Sequence, residues 1–276
     1  ISTDPAMYNV ESPFLPSDRG LIWKEIDPVP IAQFLYDGVD VMDEKIYVAG
    51  GSDGGYSNQF SRYDPETNQW ETLPVMSTPR RFMSSVALNG KFYAIGGKNE
   101  SGALNSTEIY DPVTNSWSDG PTLPFLSWSA NAVNLNDTIY LIGGGGTDGI
   151  DSLLQLDLST NQWISKSPLP LGRAGHSATV WNGKIYVAGG EKNGDLDTAL
   201  SYDPGLDEWV VLPELNTPRS WPSLFVVGDR LYIAGGSQNS ELEKLSSVEV
   251  YDPDSQEWNL VRDLPDTKYC AGITVL

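Results

Sequence analysis

Residues 91–124 read KFYAIGGKNESGALNSTEIYDPVTNSWSDGPTLP. A short β-rich run, Phe92-Tyr93-Ala94-Ile95, meets the pair Gly96-Gly97. A polar loop follows, then a second run that ends in Tyr110-Asp111-Pro112. A turn carries the chain to Trp117, and Leu123-Pro124 closes the unit. The same marks recur on both sides. Glycine pairs stand at 50/51, 96/97, 143/144, 189/190 and 235/236, in steps of 46, 47, 46 and 46 residues. Tryptophans at 70, 117, 163, 209 and 258 follow the turn, and Trp23 lies 47 residues before Trp70. Tyr-Asp pairs occupy 63/64, 110/111, 202/203 and 251/252, with Leu156-Asp157 in the remaining slot. A shared period of this length means an array of structural repeats.

Each unit reads as four strands. In the quoted unit and the residues just before it they are expected near 81–88, 91–96, 106–110 and 116–119. Asn89-Gly90 and Asn182-Gly183 join the first two strands of their units, and Asn-Gly accepts the positive φ of a two-residue hairpin turn. Second strands such as Ile139-Tyr140-Leu141-Ile142 are continuously apolar, which suits burial on both faces. First strands carry small residues, among them Ser84, Ser85, Ala132 and Ala178, as expected where strands crowd around an axis. The tryptophan strand is expected outermost, with its ring covering a neighbouring unit. No helical period is visible.

First strands begin near Leu35, Arg81, Trp128, Ala174, Ser220 and Tyr269, which makes six, but only five second strands follow. The expected solution is a ring, with the C-terminal strand joining the N-terminal one to finish a sixth blade. Closure removes open sheet edges. Residues 1–20 are expected to be an irregular N-terminal segment with at most a strand near Tyr8–Leu15, and residues 21–276 one closed domain.

Composition narrows the function. The chain of 276 residues has 17 basic and 37 acidic side chains and a formal charge of -20, which argues against nucleic acid or an anionic membrane surface as partner. Its apolar runs are far too short to span a bilayer. No signal peptide stands at Ile1, although a processed chain would have lost one. The single cysteine, Cys270, excludes an internal disulfide and reads as a buried thiol.

The glycine pairs, the Tyr-Asp-Pro turns (Tyr63-Asp64-Pro65, Tyr110-Asp111-Pro112, Tyr202-Asp203-Pro204 and Tyr251-Asp252-Pro253) and the spaced tryptophans resemble the Kelch repeat. Arginines that recur after Leu-Pro, at Arg80, Arg173 and Arg219, belong to the same pattern. The resemblance covers about residues 21–276. It implies an all-β fold, a six-bladed β-propeller of Kelch repeats. Leu156 in place of tyrosine, Ser127 in place of arginine and the absent sixth glycine pair depart from the pattern. The resemblance also implies a loop face that binds a partner peptide. Loops entering the first strands supply Tyr36, Arg80, Arg81, Trp128, Arg173, Ser220, Trp221, Lys268 and Tyr269. Loops after the glycine pairs add Tyr56, Asn99 and Asn193, beside Asp53, Lys98 and Asp148. Aromatic and arginine side chains are the usual anchors of an interface. Arg80, Arg173 and Arg219 recur with the fold and could equally brace the blades.

Catalytic constellations are not evident. His176 is the only histidine and falls in a first strand, so multi-histidine metal sites are excluded and a triad is not expected. Gly143–Gly146 lacks the Gly-Lys-Ser/Thr of a phosphate loop, and the acids from Asp148 to Asp151 lack EF-hand spacing. Sequons occur at Asn99, Asn105 and Asn136. The leading expectation is a non-enzymatic module that binds a protein or peptide, acts as a monomer and needs no cofactor or metal. The alternatives are a carbohydrate-binding or sialic-acid-processing propeller, similar to bacterial Kelch proteins, and an actin-binding structural protein. A BTB-Kelch-like chain would be cytoplasmic, a bacterial-type one secreted or periplasmic.

Overall fold

A computed structural model describes residues 7–11, 22–26, 38–52, 54–145, 149–239, 242–265 and 273–275. These form β-strands and loops, with no helix among the described residues. Strands β1 (Met7–Glu11) and β2 (Ile22–Ile26) come first. The first blade is β3 (Gly38–Met42), β4 (Lys45–Ala49), β5 (Phe60–Asp64) and β6 (Gln69–Thr72). The second is β7 (Ser84–Leu88), β8 (Lys91–Ile95), β11 (Thr107–Asp111) and β12 (Ser116–Asp119), with the short hairpin β9 (Lys98–Asn99) and β10 (Gly102–Ala103) inserted. The third is β13 (Asn131–Asn134), β14 (Ile139–Ile142), β15 (Leu153–Asp157) and β16 (Gln162–Ser165). The fourth is β17 (Ser177–Trp181), β18 (Lys184–Ala188), β19 (Ala199–Asp203) and β20 (Glu208–Leu212). The fifth is β21 (Ser223–Val227), β22 (Arg230–Ala234), β25 (Val248–Asp252) and β26 (Glu257–Leu260), with the hairpin β23 (Ser237–Gln238) and β24 (Glu243–Lys244) inserted. β27 (Ile273–Val275) ends the order. One compact unit holds β3 to β16, and the other holds β1, β2 and β17 to β27.

Each blade is an antiparallel meander, with its first and tryptophan-bearing strands at opposite edges. The expected hairpins form: Asn89 and Gly90 have φ of 51° and 69°, and Asn182 and Gly183 have 49° and 73°. Six four-stranded blades are not what the structure shows. Among the described residues five are complete, and beside them and the two inserted hairpins stands one sheet of three strands in the order β2-β1-β27. Its β1 pairs antiparallel with β2 but parallel with β27, so it is not another copy of the meander. The middle strand of this sheet comes from Met7–Glu11 and carries no glycine pair, which is why the repeat pattern does not reveal it.

Within a unit the blades pack through aromatic and aliphatic side chains. Phe60, Met76, Phe92 and Tyr110 join blades one and two. Ile95, Leu123, Leu141 and Leu154 join blades two and three, and Trp181, Leu215, Leu231 and Tyr251 join four and five. The tryptophan rings reach back as expected. Trp117 Nε1 donates to the Pro74 carbonyl at 2.7 Å, and Trp258 Nε1 to Pro213 at 3.1 Å.

The outer edge of β7 would leave backbone groups without partners, and side chains from adjacent blades take them up. Ala87 N–H donates to the Asp40 carboxylate at 2.6 Å, while the Ala87 carbonyl accepts from Asn134 Nδ2 at 3.0 Å. Burial pushes the Asp40 carboxyl up to about 6, against the opposing pull of hydrogen bonds from Ala87 and Val41.

Candidate functional site

The loops that enter the first strands contain two kinds of residue. The first kind holds the frame. Arg80 is fully buried, and its guanidinium donates to the Gly96 carbonyl at 2.8 Å, the Ser106 carbonyl at 3.1 Å and Glu108 Oε1 at 2.7 Å. Glu108 in turn accepts from Ser77 N at 2.7 Å, Ser77 Oγ at 2.8 Å and Thr78 N at 3.1 Å. Burial works against the Glu108 carboxylate, but the Ser77 hydrogen bonds and the Arg80 charge outweigh it and hold its pKa below the usual range. Blade five repeats the clamp: Arg219 donates to Gly235 at 2.8 Å, Ser247 at 3.1 Å and Glu249 at 2.7 Å. Arg173 is also fully buried, and burial lowers its guanidinium pKa to about 10. The sheet position of Glu108 and Glu249, two residues before the tyrosine, is Leu200 in blade four.

The second kind departs from the repeat. Where Ala174 and Ser220 follow their arginines, blade two has Arg81 and blade three has Trp128 in the matching slot. Arg81 and Lys98 form an antiparallel bridge, with Arg81 N–H donating to Lys98 O at 3.0 Å and Lys98 N–H to Arg81 O at 2.7 Å. The Arg81 guanidinium lies 4.0 Å from the centroid of the Phe82 ring, and Lys98 Nζ lies 4.2 Å from that of Trp128. Both cations thus rest on aromatic rings. Gly97 makes room beneath them, since a Cβ there would sit 2.8 Å from the Arg81 carbonyl.

The next slot is left-handed in four blades: Phe82, Ser129, Gly175 and Trp221 have φ of 55°, 56°, 56° and 55°. That conformation is costly for a bulky side chain. It turns the backbone so that Ser129 N–H donates to Phe82 O at 2.8 Å and Trp221 N–H to Gly175 O at 2.6 Å, linking consecutive blades or the strands that open them. Gly175 also leaves space for an indole, because a Cβ on it would come within 2.8 Å of the Trp221 ring. In the same unit as Trp221, a polar cavity of about 560 Å³ is lined by Gly194, Asp195, Pro218, Gln238 and Asn239. Asp195 accepts from Asn239 N–H at its rim at 2.7 Å.

The structure therefore sorts the expected site residues. Arg81, Trp128 and Trp221 are half-buried on the entering loops, and Tyr56, Asn99 and Asn193 lie on the loops after the glycine pairs. Arg80 and Arg173 are fully buried, so they brace blades rather than present charge. Ser220 is buried too, with its hydroxyl 3.2 Å from that of Ser237. Asn99 Oδ1 accepts from Ser101 N–H at 2.8 Å within its own hairpin turn. Tyr36, Lys268, Tyr269, Cys270, Asp53 and Asp148 lie outside the described residues. Asn136 stands exposed at a hairpin tip, whereas Thr107 of the Asn105 sequon is buried. His176 is buried. Among the described residues no cluster of three His, Cys, Asp or Glu could hold a metal. Sequence reasoning missed Phe82 and did not single out Lys98, whose importance depends on a pairing between separate loops. A signal for Glu108 and Glu249 was available in their shared place two residues before tyrosine.

Comparison with known proteins agrees with this architecture. The family described as the KLHDC2/KLHL20/DRC7 Kelch-repeats domain matches residues 28–165 and again 121–268. Kelch-like protein 40 of Xenopus laevis is 38% identical over 76 residues, which cover 27% of this chain and 12% of that protein. Kelch repeat and BTB domain-containing protein 12 of Danio rerio is 35% identical over 89 residues, covering 29% of this chain and 14% of that protein. The matched stretch is thus a small part of these relatives' length. The solved structure of YjhT is similar with a TM-score of 0.77 at 20% identity, covering 91% of this chain and 89% of that one. That likeness shows a shared fold.

Proposed function

We propose, from the premise that the chain belongs to the Kelch-repeat family, that it is a non-enzymatic interaction module that binds a segment of a partner protein through its blade-entry loops. In this reading the three-stranded sheet of β2, β1 and β27 serves as the sixth blade of a β-propeller. The observation that carries the reading is the contrast inside those loops. Residues that recur with the repeat are buried in hydrogen bonds, while Arg81, Trp128 and Trp221 depart from it and remain partly exposed. Half-buried aromatic and arginine side chains are the groups that dominate protein interfaces.

The test replaces Arg81, Trp128 and Trp221 together by alanine and compares, by quantitative mass spectrometry, the proteins retained by each form. Proteins retained by the wild type and lost by the variant are the expected result. An unchanged set would contradict binding through these loops. A second reading, carbohydrate binding, is favoured by the polar cavity beside Asn239, whose amide and carboxylate groups suit hydroxyl ligands. A glycan array that shows binding lost on Asp195→Ala would support it, and silence across the array would count against it.

A further inference from the structure

We propose that β20, the outer strand of blade four, is a docking edge for an extended basic segment of a partner protein, which adds to the blade as a fifth strand. The site is separate from the entry loops, since β20 lies at the opposite edge of its sheet from β17. Three observations carry the proposal. The first is an open edge. Among the described residues β20 pairs with β19 alone, so one side of its backbone faces no strand. Such an edge is a template for a further strand, and proteins usually blunt it with lysine, proline or another charge.

The second is composition. Val210 and Val211 are 52% and 65% exposed, and among the described residues no other two exposed large apolar side chains are adjacent in the chain. After their tryptophans, blades one and two carry Glu71-Thr72 and Ser118-Asp119. Blades three and five keep one apolar residue each, Ile164 and Leu260. The turn before β20 departs in the same direction: Leu206 is 69% exposed where the other blades have Thr67, Thr114, Thr160 and Ser255. Neither burial nor the repeat asks for these apolar residues. Successive side chains point to opposite faces of a strand, so Val210 and Val211 give both faces of this rim an apolar contact.

The third is charge. From Asp203 to Pro218 the chain holds Asp203, Asp207, Glu208 and Glu214 but no lysine or arginine. Asp203 is taken by Lys184 at 3.1 Å. Glu208 and Glu214 are exposed, and among the described residues neither joins an ion pair. A strand laid along β20 therefore meets acids on both sides of the valine pair. Opposite charges across a strand pair stabilise it, and like charges do the reverse. The net charge of -20 adds attraction to a basic segment. It opposes a second copy of this chain, which would bring its own Glu208 and Glu214 to the same rim. The expected ligand has two neighbouring β-branched or aromatic residues flanked by lysine or arginine.

The test selects phage-displayed 12-residue peptides on the whole chain and discards those that also bind V210S/V211S. Blades two and three carry Ser118 and Ser165 at these places, so the repeat accommodates the change. The strongest remaining peptide is synthesised with blocked termini, and again with alternate backbone amides N-methylated in either of the two possible sets. The expected results are enrichment of lysine or arginine beside apolar residues and at least a tenfold loss of affinity on V210S/V211S at an unchanged unfolding midpoint. One methylated set is expected to lose binding and the other to keep it, and the bound peptide to slow hydrogen exchange of backbone amides in residues 208–212. If V210S/V211S fails to fold, the methylated pair and the exchange on the wild type still decide. Binders that lack basic residues, methylated forms that both bind as the parent does, or a selection in which no peptide depends on the valines overturns the proposal. A wild-type chain that dimerises in sedimentation, and ceases to on V210S/V211S, assigns the edge to a second copy and overturns it too. Loss of the peptide on R81A/W128A/W221A, with exchange in β20 unchanged by the peptide, overturns this proposal alone and leaves the loop reading standing.

Discussion

The clamp around Arg80 and the ledge around Arg81 begin one residue apart, yet their charges are handled in opposite ways. Arg80 is sealed inside blade two, with its guanidinium on two carbonyls, a serine and Glu108. The Arg81 guanidinium lies over the Phe82 ring, and no carboxylate is among its described contacts. Arg80 recurs as Arg173 and Arg219, while Ala174 and Ser220 stand where Arg81 would. In a repeat protein, what recurs answers to the geometry every blade shares, and what departs is free to answer to something else.

The comparison breaks most sharply at Glu108. Glu108→Ala leaves a buried guanidinium without its counter-ion and strips acceptors from Ser77 and Thr78. It is expected to cost about 3–5 kcal/mol in urea unfolding. A loss below about 1 kcal/mol would show that the clamp is not structural. Gly96→Ala tests the backbone that the clamp grips. Gly96 has φ of 62°, and a Cβ there would lie 2.4 Å from the Ser127 carbonyl. The expected cost is about 2–3 kcal/mol, read from the same unfolding curves.

Asp40 gives a titration with a definite sign. Its carboxyl is raised to about 6 in the folded state from 3.8, so between these values the folded state holds the extra proton. Its contribution to stability therefore falls as pH rises from about 4 to 6 and is level above, with a slope of at most about 1.4 kcal/mol per pH unit. Subtracting the profile of Asp40→Asn from that of the wild type isolates this slope; a difference that is flat across pH 4–6, or that rises, contradicts the assignment. Trp117→Phe keeps the bulk of the ring but removes the bond to Pro74, with an expected loss of about 1 kcal/mol.

How much of this could be read in the sequence follows from the same contrast. The period placed all five complete blades, because glycine pairs, hairpin turns and tryptophans report local backbone needs that repeat. The strand expected near 81–88 forms only from Ser84, since Phe82 is left-handed and Arg81 bridges to Lys98. The middle strand of the three-stranded sheet was not legible as a blade strand. Met7–Glu11 bears none of the repeat marks, and its parallel pairing with β27 joins residues at opposite ends of the chain. Glu108 was overlooked for another reason: its place before the tyrosine recurs only at Glu249, and a strand glutamate looks solvated until its arginine is placed 2.7 Å away. The resting of Lys98 on Trp128 depends on how two loops meet, and no periodicity encodes that.

The most direct measurement is urea unfolding of Arg80→Ala and Arg81→Ala side by side. The clamp and the ledge predict a loss of about 3–5 kcal/mol for Arg80→Ala and less than about 0.5 kcal/mol for Arg81→Ala. Equal losses, or a larger one at Arg81, would contradict the division between residues that hold the blades and residues left to meet a partner.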